Sequence, residues 1–584
     1  MKVLVFAPHS AIWVHAFPEA LIAEAVGQYG HSITYVGCGG VLRSHCVAMS
    51  GNGVMFEANA HTKERVCRLC ANAVEVIRAQ FGLRGVDLAR LVTEEDNSSA
   101  DTLISTTAPE KYMDLVVDGI EVGRIAPYEM LIQNKKTALA FTELEWGRYR
   151  ANLKNVLIVL KVMGRLLDEV KPDRVIVYNA LYSINRVVCR LCERHGIAQY
   201  FLHAGDNLAY RLNTLILARN HAFSYYKHLQ VVWEKRRHQP CSGRSMKIAT
   251  DHLIEVIRGR SPWAYSAAPQ GSAGLRELLR IVGRQKVVTA TMSSEDERNG
   301  SEVIGVVRER TNQLFQRQID WIEALIEYVR DRTDLCLVIR IHPREFPNKR
   351  ERVLSEHARG LQDLLRDVPS NVRVNWPDED VSLFDLANIT DVFTNAWSSA
   401  GKEMAWLGLP VVLYSRDLTT YPPDLNYVGT TRESYFSALE QALEDGWDSE
   451  RIRATYRWCA IEYADAAMDI SESFSRREGY ATPRQWLAGV TRRISPALAL
   501  RLDCYNRAKR LRAAQKINIV LEGQLESLLE VSSTGENVDA PCSTADETMS
   551  LKHEVARLVN ALFGETRPPE GKSLHYALRE FARA

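Results

Sequence analysis

Residues 173–205 have the sequence DRVIVYNALYSINRVVCRLCERHGIAQYFLHAG, which contains three segments of different pattern. Branched and aromatic residues dominate 173–179 and 199–205, as in buried strands, and 183–196 between them has a helical pattern. Strand, helix and strand in succession are typical of a parallel sheet covered by helices. The segment therefore predicts an α/β fold with a doubly wound parallel sheet.

The same alternation continues on both sides of this segment. Further strands are predicted at 2–8 and 32–37, and one long helix at 141–170. In the second half of the chain, strands alternate with helical patterns and are predicted at 285–291, 334–343, 371–377, 391–396 and 410–415. Two α/β domains are thus expected, and in such sheets ligands bind beyond the carboxyl ends of the strands.

Changes in composition divide the chain into segments. A stretch rich in Gly, Ser, Pro and Ala is typical of a linker between the two domains. A basic stretch and then a polar, acidic one follow the second domain. The predicted segments are a first domain (1–257), a linker (258–280), a second domain (281–480), a basic helical segment (481–531), a flexible linker (532–550) and a short helical tail (551–584).

Size and composition exclude several classes of protein. A chain of 584 residues is too long for one hydrophobic core. A net charge of +1 excludes a globally basic protein that binds nucleic acid. The longest apolar runs are too short for a spanning helix, and the N-terminus lacks the layout of a signal peptide. Eleven scattered cysteines favour reduced thiols, so we expect a cytoplasmic protein.

The strand predicted at 334–343 ends in His342-Pro343. Pro343 cannot donate to a sheet ladder and restricts His342 to an extended conformation. The imidazole is therefore expected at the carboxyl edge of the sheet, where it could donate to a phosphate. The alternative is a turn that ends the strand and contains a histidine by chance.

A second candidate site follows the strand at 391–396. Ser398, Ser399 and Gly401 lie in a turn of small residues that opens a helix, and Glu403 lies one turn further on. Free N–H groups at such a turn can bind phosphate, and an early acid could accept hydrogen bonds from ribose hydroxyls. Simple helix capping is the alternative. Another loop, after the strand at 285–291, adds the candidate phosphate contacts Thr291, Ser293 and Ser294.

Together these motifs resemble bacterial GT-B transferases of surface polysaccharide assembly. The chain is similar to the capsule group that includes β-Kdo transferases, and more distantly to polysialyltransferases and teichoic-acid polymerases. The resemblance covers mainly 285–415. It implies two Rossmann-like domains facing across a cleft, with a helical C-terminal extension here. It also implies that His342, Pro343, Ser398 and Ser399 hold the phosphate and ribose of a nucleotide-sugar donor, and that catalysis needs no metal.

By the same resemblance, the first domain holds the saccharide acceptor and supplies a general base. A base must deprotonate the acceptor hydroxyl as it attacks the anomeric carbon. His15 and Asp206 each follow a predicted strand and are rival candidates for this base, with Glu129 a third. The candidate acceptor-binding residues in the same loops are His9, His203 and Arg211. Three further cations could meet an anionic acceptor or simply be surface residues: Arg124, Lys135 and Lys136.

No cofactor is expected, although four cysteines leave one alternative open. Cys38, Cys46, Cys67 and Cys70 lie within 33 positions and would suit a structural zinc. The last two are also at helical spacing, as are Cys189 and Cys192, so core packing is the other interpretation.

The basic stretch 484–516 contains nine Lys and Arg residues and one acid. Its interleaved apolar residues could place it on an anionic inner leaflet, where a lipid-linked acceptor would lie. A solvated helical face is the alternative.

These features predict a glycosyltransferase of capsule, lipopolysaccharide or another surface glycan, cytoplasmic and peripheral at the inner membrane face. A sugar-nucleotide 2-epimerase of the same fold is the enzymatic alternative, and a non-catalytic polysaccharide-assembly protein is the other.

Overall fold

The structure is a computed structural model that describes residues 1–265, 267–307, 314–348, 351–471, 513–532, 542–565 and 573–584, with isolated positions 473, 490, 494, 495, 498 and 511. Two sheets organise it, one in each half of the chain.

The first sheet has the strand order β13-β6-β5-β4-β1-β2-β3. Strands β1 to β5 are parallel to one another, whereas β6 runs antiparallel to both of its neighbours, β5 and β13. Their central positions are almost completely buried on both faces, as a parallel sheet under two layers of helices requires. Its strands are β1 (Lys2–Phe6), β2 (Ser32–Gly37), β3 (Gly85–Asp87), β4 (Arg174–Tyr178), β5 (Ala198–Ala204), β6 (Thr214–Arg219) and β13 (Met468–Asp469).

The second sheet has the order β12-β11-β10-β7-β8-β9 and is parallel throughout. Residue 340 at the end of β8 pairs with residue 291 at the end of β7, so the carboxyl ends of these strands lie side by side. Its strands are β7 (Lys286–Thr291), β8 (Leu335–Arg340), β9 (Val372–Asn375), β10 (Val392–Asn395), β11 (Val411–Leu413) and β12 (Tyr427–Val428).

Helices cover both sheets and build the C-terminal extension. In the first half these are α1 (Trp13–Gly27), α2 (Val47–Gly51), α3 (Ala60–Phe81), α4 (Glu94–Thr106), α5 (Val122–Ile125), α6 (Tyr128–Gln133), α7 (Glu143–Val170), α8 (Ser183–His195), α9 (Ala222–Arg236) and α10 (Gly243–Arg258). The remainder are α11 (Leu275–Leu278), α12 (Glu295–Val303), α13 (Gln318–Val329), α14 (Glu356–Leu364), α15 (Leu383–Ala387), α16 (Ala400–Trp406), α17 (Arg432–Asp445), α18 (Ser449–Ala460), α19 (Ala514–Gly523), α20 (Leu528–Ser532), α21 (Thr544–Phe563) and α22 (Leu574–Arg583). A π-helix, Ile461–Asp465, continues α18.

The predicted GT-B fold class is confirmed: two Rossmann-like domains face each other across a cleft, and helices follow at the C-terminus. Every strand named from the sequence is present. Strand β6 was missed because it forms a hairpin with β5 and has no intervening helix to mark it.

The chain returns to the first domain earlier than predicted. Strand β13 pairs with β6 of the first sheet, so the limit of the second domain at residue 480 is too late. Helix α18 makes this return by packing against both α10 and α16. This part of the chain, residues 449–471, is called the returning segment, and it contacts both domains.

The segment 532–550, predicted as a flexible linker, contains the start of α21. Glu547 is fully buried there and pairs with Arg453 and Arg457 of α18 at 3.0 and 2.7 Å, which accounts for a stable helix. Most of the basic stretch 484–516 lies outside the described residues. No described helix has the length and apolar character needed to cross a membrane.

Three cations proposed as acceptor contacts instead join the domains. The Lys135 ammonium donates to the carbonyls of Phe346 and Val353, at 2.9 and 2.8 Å. Lys136 pairs with Glu356 at 2.5 Å. Arg124 likewise donates to the carbonyl of Val303. Because these donors are used in the interface, they are structural residues.

Candidate functional site

A cavity of about 300 Å³ lies in the cleft between the two domains. We call it the cleft cavity. Its walls come from the loop after β5, the linker, the strand ends of the second domain and the π-helix. The volume is at the lower end of the range for small-molecule sites, roughly 300–1,000 Å³. Helices α9 and α10 also contribute, so both domains and the linker meet at one site.

Most of the predicted donor-binding residues line this cavity. They lie just beyond the carboxyl ends of β7, β8 and β10, where ligands bind in open α/β sheets. The residues are Thr291, His342, Pro343, Ser398, Ser399 and Glu403.

His342 has a defined protonation state. Its Nδ1 accepts a hydrogen bond from the backbone N–H of Arg344 at 3.2 Å, which places the proton of a neutral ring on Nε2. Burial lowers the pKa of His342 to about 4, so the ring is neutral near pH 7. His342 can therefore donate one hydrogen bond, from Nε2, to a ligand in the cavity.

The Ser398–Glu403 turn is tied together internally. Ser399 Oγ donates to Glu403 Oε1 at 2.8 Å, and the backbone N–H of Ala400 donates to Ser398 Oγ. Burial raises the pKa of Glu403 above its usual value, which favours the uncharged carboxyl. The turn is therefore held in place at the cavity wall by its own hydrogen bonds.

Two predicted donor residues do not reach the cavity wall. Ser293 is buried, and its backbone exchanges hydrogen bonds with the Gln318 side chain. Gly401 lies against Tyr421 and Asn395, and a Cβ at this position would overlap both side chains. Both residues are therefore needed for packing around the site, and Gly401 has a steric reason to be glycine.

From the first domain, Asp206 lines the cavity. Its Oδ2 accepts a hydrogen bond from Tyr226 at 3.1 Å, and its Oδ1 lies 4.0 Å from the Arg211 guanidinium. Arg211 itself lines a neighbouring cavity. Of the two rival bases, Asp206 is the one on the wall of the cleft cavity.

The three candidate histidines, His9, His15 and His203, form a group away from this wall, whereas His252 of α10 lines it. His15 stacks on Tyr178 with ring centroids 3.9 Å apart, and the pKa of His15 is lowered by burial and by nearby His9 and His203. His203 Nδ1 is hydrogen-bonded to its neighbour's carbonyl oxygen. Glu129, the third candidate base, accepts from Ser183 and lines a small separate cavity with His9.

His9 should control part of the acid sensitivity of the fold. It is 4% exposed, neither ring nitrogen has a hydrogen-bond partner among the described residues, and burial lowers its pKa to about 3. In the unfolded chain His9 becomes protonated below about pH 6.5, whereas in the folded protein it stays neutral down to about pH 3. The free energy of unfolding therefore falls as the pH falls from about 6.5 toward 3.

We therefore expect His9→Phe to lose less stability than the wild type on going from about pH 7 to about pH 5, measured by urea unfolding. The exposed His553, changed to Gln, is the control and should leave the pH dependence unchanged. Equal pH dependence in the wild type and His9→Phe would contradict this assignment.

Sequence reasoning missed Arg340, the last residue of β8. It lines the cleft cavity, is 9% exposed, and donates to Asn375 Oδ1 and to the carbonyl of Val381 at 2.5 and 2.8 Å. Among the described residues no carboxylate lies within 4 Å of it, and burial lowers its pKa to about 10. The carboxyl groups of Asp385, Glu379 and Glu403 act on Arg340 from farther away and oppose this effect of burial. A buried cation with no direct ion pair favours an anionic ligand. The sequence pattern that could have revealed Arg340 is Arg-x-His-Pro, because this spacing places Arg340 and His342 on the same face of an extended segment.

The returning segment and the linker also contribute unpredicted residues. Glu462 accepts from the Lys402 ammonium at 2.7 Å, and Tyr463 OH bonds to the same ammonium at 2.8 Å. Lys402 is thereby neutralised within the wall. From the linker, Trp263 and Tyr265 line the cavity, so this segment is part of the site.

The four cysteines considered as zinc ligands lie in or beside apolar clusters. Cys46, Cys67 and Cys70 border a small apolar cluster, and Cys38 belongs to a larger one. Burial raises the pKa of all four thiols. Within the described part of the chain, no group of three or more His, Cys, Asp and Glu residues is arranged to hold a metal ion.

No protein-family model and no curated protein matches the chain. Solved structures with a similar arrangement include both enzyme classes considered above. One is KpsC, a β-Kdo 2,4 transferase from Thermosulfurimonas dismutans, at 14% identity and a TM-score of 0.27 over 45% of this chain and 78% of that one. Another is a UDP-GlcNAc 2-epimerase from Methanocaldococcus jannaschii, at 11% identity and a TM-score of 0.26 over 78% of this chain and 98% of that one. The calicheamicin glycosyltransferase CalG4 is 12% identical, with a TM-score of 0.24 over 80% of this chain and 94% of that one.

Proposed function

We propose that this chain is a glycosyltransferase that moves a sugar from a nucleotide-sugar donor to a hydroxyl of a saccharide acceptor. One observation carries the proposal. The second domain presents the Arg340 guanidinium, which has no ion pair within 4 Å in the described part of the chain, and a neutral imidazole, His342, to the cavity that Asp206 of the first domain also lines. Two side chains that could stabilise a departing phosphate and one that could act as a general base therefore line the same cavity.

In the proposed reaction, Asp206 accepts the proton of the acceptor hydroxyl as its oxygen attacks the anomeric carbon. The bond from that carbon to the phosphate oxygen breaks, and the electron pair leaves with the nucleotide. Arg340 and His342 Nε2–H stabilise the negative charge that develops on the phosphate. Ser398 and Ser399 would contact the donor next to them.

The acceptor class is a finer proposal. We infer an acceptor from capsule, lipopolysaccharide or another surface glycan, and the support for this is the His-Pro and Ser-Ser pattern shared with the bacterial families named above. Metal-independent transfer is proposed on the same basis. Contact of 484–516 with an anionic membrane surface also stays a proposal, since most of that stretch lies outside the described residues.

Arg340→Met should weaken nucleotide binding by about tenfold to a hundredfold, because a hydrogen bond to a charged group contributes roughly 1.5–3 kcal/mol. The substitution also removes the donor to Asn375 Oδ1 and to the carbonyl of Val381, so a loss of stability of about 1–3 kcal/mol per acceptor is expected and is measured alongside binding. The measurement is a titration with CMP, UDP, GDP and CDP derivatives, followed by thermal shift and calorimetry.

Arg366→Gln is the matched control, because Arg366 is exposed and pairs only with Asp363 one turn away. It should bind nucleotide like the wild type. Equal nucleotide affinity in Arg340→Met and in the wild type would show that the donor site is assigned wrongly. Release of free nucleotide only when a glycan acceptor is present would separate transfer from epimerisation.

A further inference from the structure

A second cavity, of about 880 Å³, adjoins the cleft cavity on the side of the first domain. We call it the side cavity. The loop between β5 and β6, helix α10, the returning segment up to Ser471 and Lys516 line it. Leu208, Trp263 and Tyr463 belong to both cavities and form a shared wall. Two adjoining spaces of this size can hold two substrates side by side.

The side cavity has more positive than negative charge available to a ligand. Its cations are Arg211, Arg244 and Lys516. They outnumber its two acids, Glu255 and Asp469. Glu255 pairs with Arg258 at 2.8 Å, and Asp469 accepts one backbone N–H, from Ser471 at 2.8 Å, which does not cancel a charge. Within the described part of the chain, no carboxylate lies within 4 Å of Arg244 or Lys516. The side cavity therefore favours an anionic ligand.

The shared wall suits a sugar ring. The guanidinium carbon of Arg211 lies 5.4 Å from the ring centroid of Trp263. An indole ring offers an apolar surface to the ring carbons of a sugar, and the adjacent guanidinium can bind a carboxylate or phosphate on it. Asp206 lies at the same place, 4.0 Å from Arg211.

From this geometry we propose that the side cavity binds the acceptor, and that the acceptor is a saccharide bearing an anionic group. This inference rests on the proposed function, which places the donor in the cleft cavity. The acceptor would pack against Trp263 with its anionic group toward Arg211, Arg244 and Lys516. Its hydroxyl would cross the shared wall to Asp206, give up its proton there and bond to the anomeric carbon as the nucleotide leaves.

The experiment is a calorimetric titration of the full chain with three probes: the trisaccharide of galacturonic acid, maltotriose, and maltotriose carrying one phosphate group. Each is titrated with and without the nucleotide that binds best. We expect at least one anionic probe to bind about tenfold or more tightly than neutral maltotriose, and the two anionic probes distinguish a carboxylate from a phosphate.

Arg244→Gln with Lys516→Gln should reduce the affinity for the anionic probe by about tenfold, because both cations are lost, and leave nucleotide affinity unchanged. Trp263→Leu should weaken every bound saccharide. Lys235→Gln removes one exposed cation of α9 that does not line the side cavity, and serves as the matched control.

The outcomes separate this inference from the proposed function. If nucleotide binds but no saccharide does, or neutral and anionic probes bind equally, the acceptor inference is wrong and the donor site stands. Anionic binding that survives the double substitution would also overturn it. If no nucleotide binds, the proposed function itself fails.

Discussion

Asp206→Asn is expected to lower the turnover number by about 100-fold to 10,000-fold, the usual contribution of a general base. The amide has the shape of the carboxylate and can still accept the hydrogen bond from Tyr226, so the loop after β5 should keep its structure. What it loses is the ability to take a proton. The measurement is acceptor-dependent release of free nucleotide, with nucleotide affinity determined in parallel and expected to stay unchanged.

His15→Gln is the informative comparison, because His15 is the rival base. His15 stacks on Tyr178 away from the wall of the cleft cavity, so its substitution should change turnover by less than about tenfold. A large loss in His15→Gln together with an active Asp206→Asn would assign the base to His15. A large loss of nucleotide affinity in Asp206→Asn would show that Asp206 serves binding instead.

Arg344→Met is expected to lower the free energy of unfolding by about 3–5 kcal/mol, the cost of removing one partner from a buried ion pair. The Arg344 side chain is 3% exposed and pairs at 2.8 Å with Asp296, which is 0% exposed. It also pairs with Glu351 at 2.8 Å and donates to the carbonyl of Ile132 in the first domain at 3.1 Å. The substitution leaves a buried carboxylate without its cation.

Urea unfolding, with hydrogen exchange of the β8 amides to report on the second domain, measures this loss. The exposed Arg366 provides the control, since Arg366→Met breaks only a surface pair and should cost less than about 1 kcal/mol. Adding Asp296→Leu to Arg344→Met should recover part of the stability, because the unpaired carboxylate is then gone. An Arg344→Met protein as stable as the control would show that the pair contributes nothing.

Arg344 also orders the proposed donor site. It follows Pro343 directly, its backbone N–H bonds to His342 Nδ1, and its guanidinium joins the loop to the first domain. His342 is thus oriented by a residue that connects both domains. We therefore expect Arg344→Met to weaken nucleotide binding as well as stability.

Local patterns were sufficient to predict the fold and several residues of the cleft-cavity wall. Buried parallel strands are continuous apolar runs, so nine of the strands were visible in the sequence. Proline after His342 and small residues after β10 mark the ends of strands, and residues at those ends necessarily lie at the carboxyl edge of the sheet. Thr291, His342, Ser398 and Glu403 were located in this way.

The rest depended on which side chains pair across long stretches of chain. Lys135, Lys136, Arg340 and Arg344 are all cations in loops or at strand ends, and the sequence cannot distinguish them. Only the tertiary structure shows that three of them have partners in the interface, and that Arg340 has no carboxylate beside it among the described residues.

The sequence by itself determined the two α/β domains and the strand ends that carry His342 and the Ser398–Ser399 turn, because these follow from local periodicity and from proline geometry. The tertiary structure decided that Asp206, and not His15, shares a cavity with them. It also brought Trp263 from the linker and Glu462 from the returning segment into the same wall. Such choices depend on how two domains dock, and docking is set by contacts between residues hundreds of positions apart.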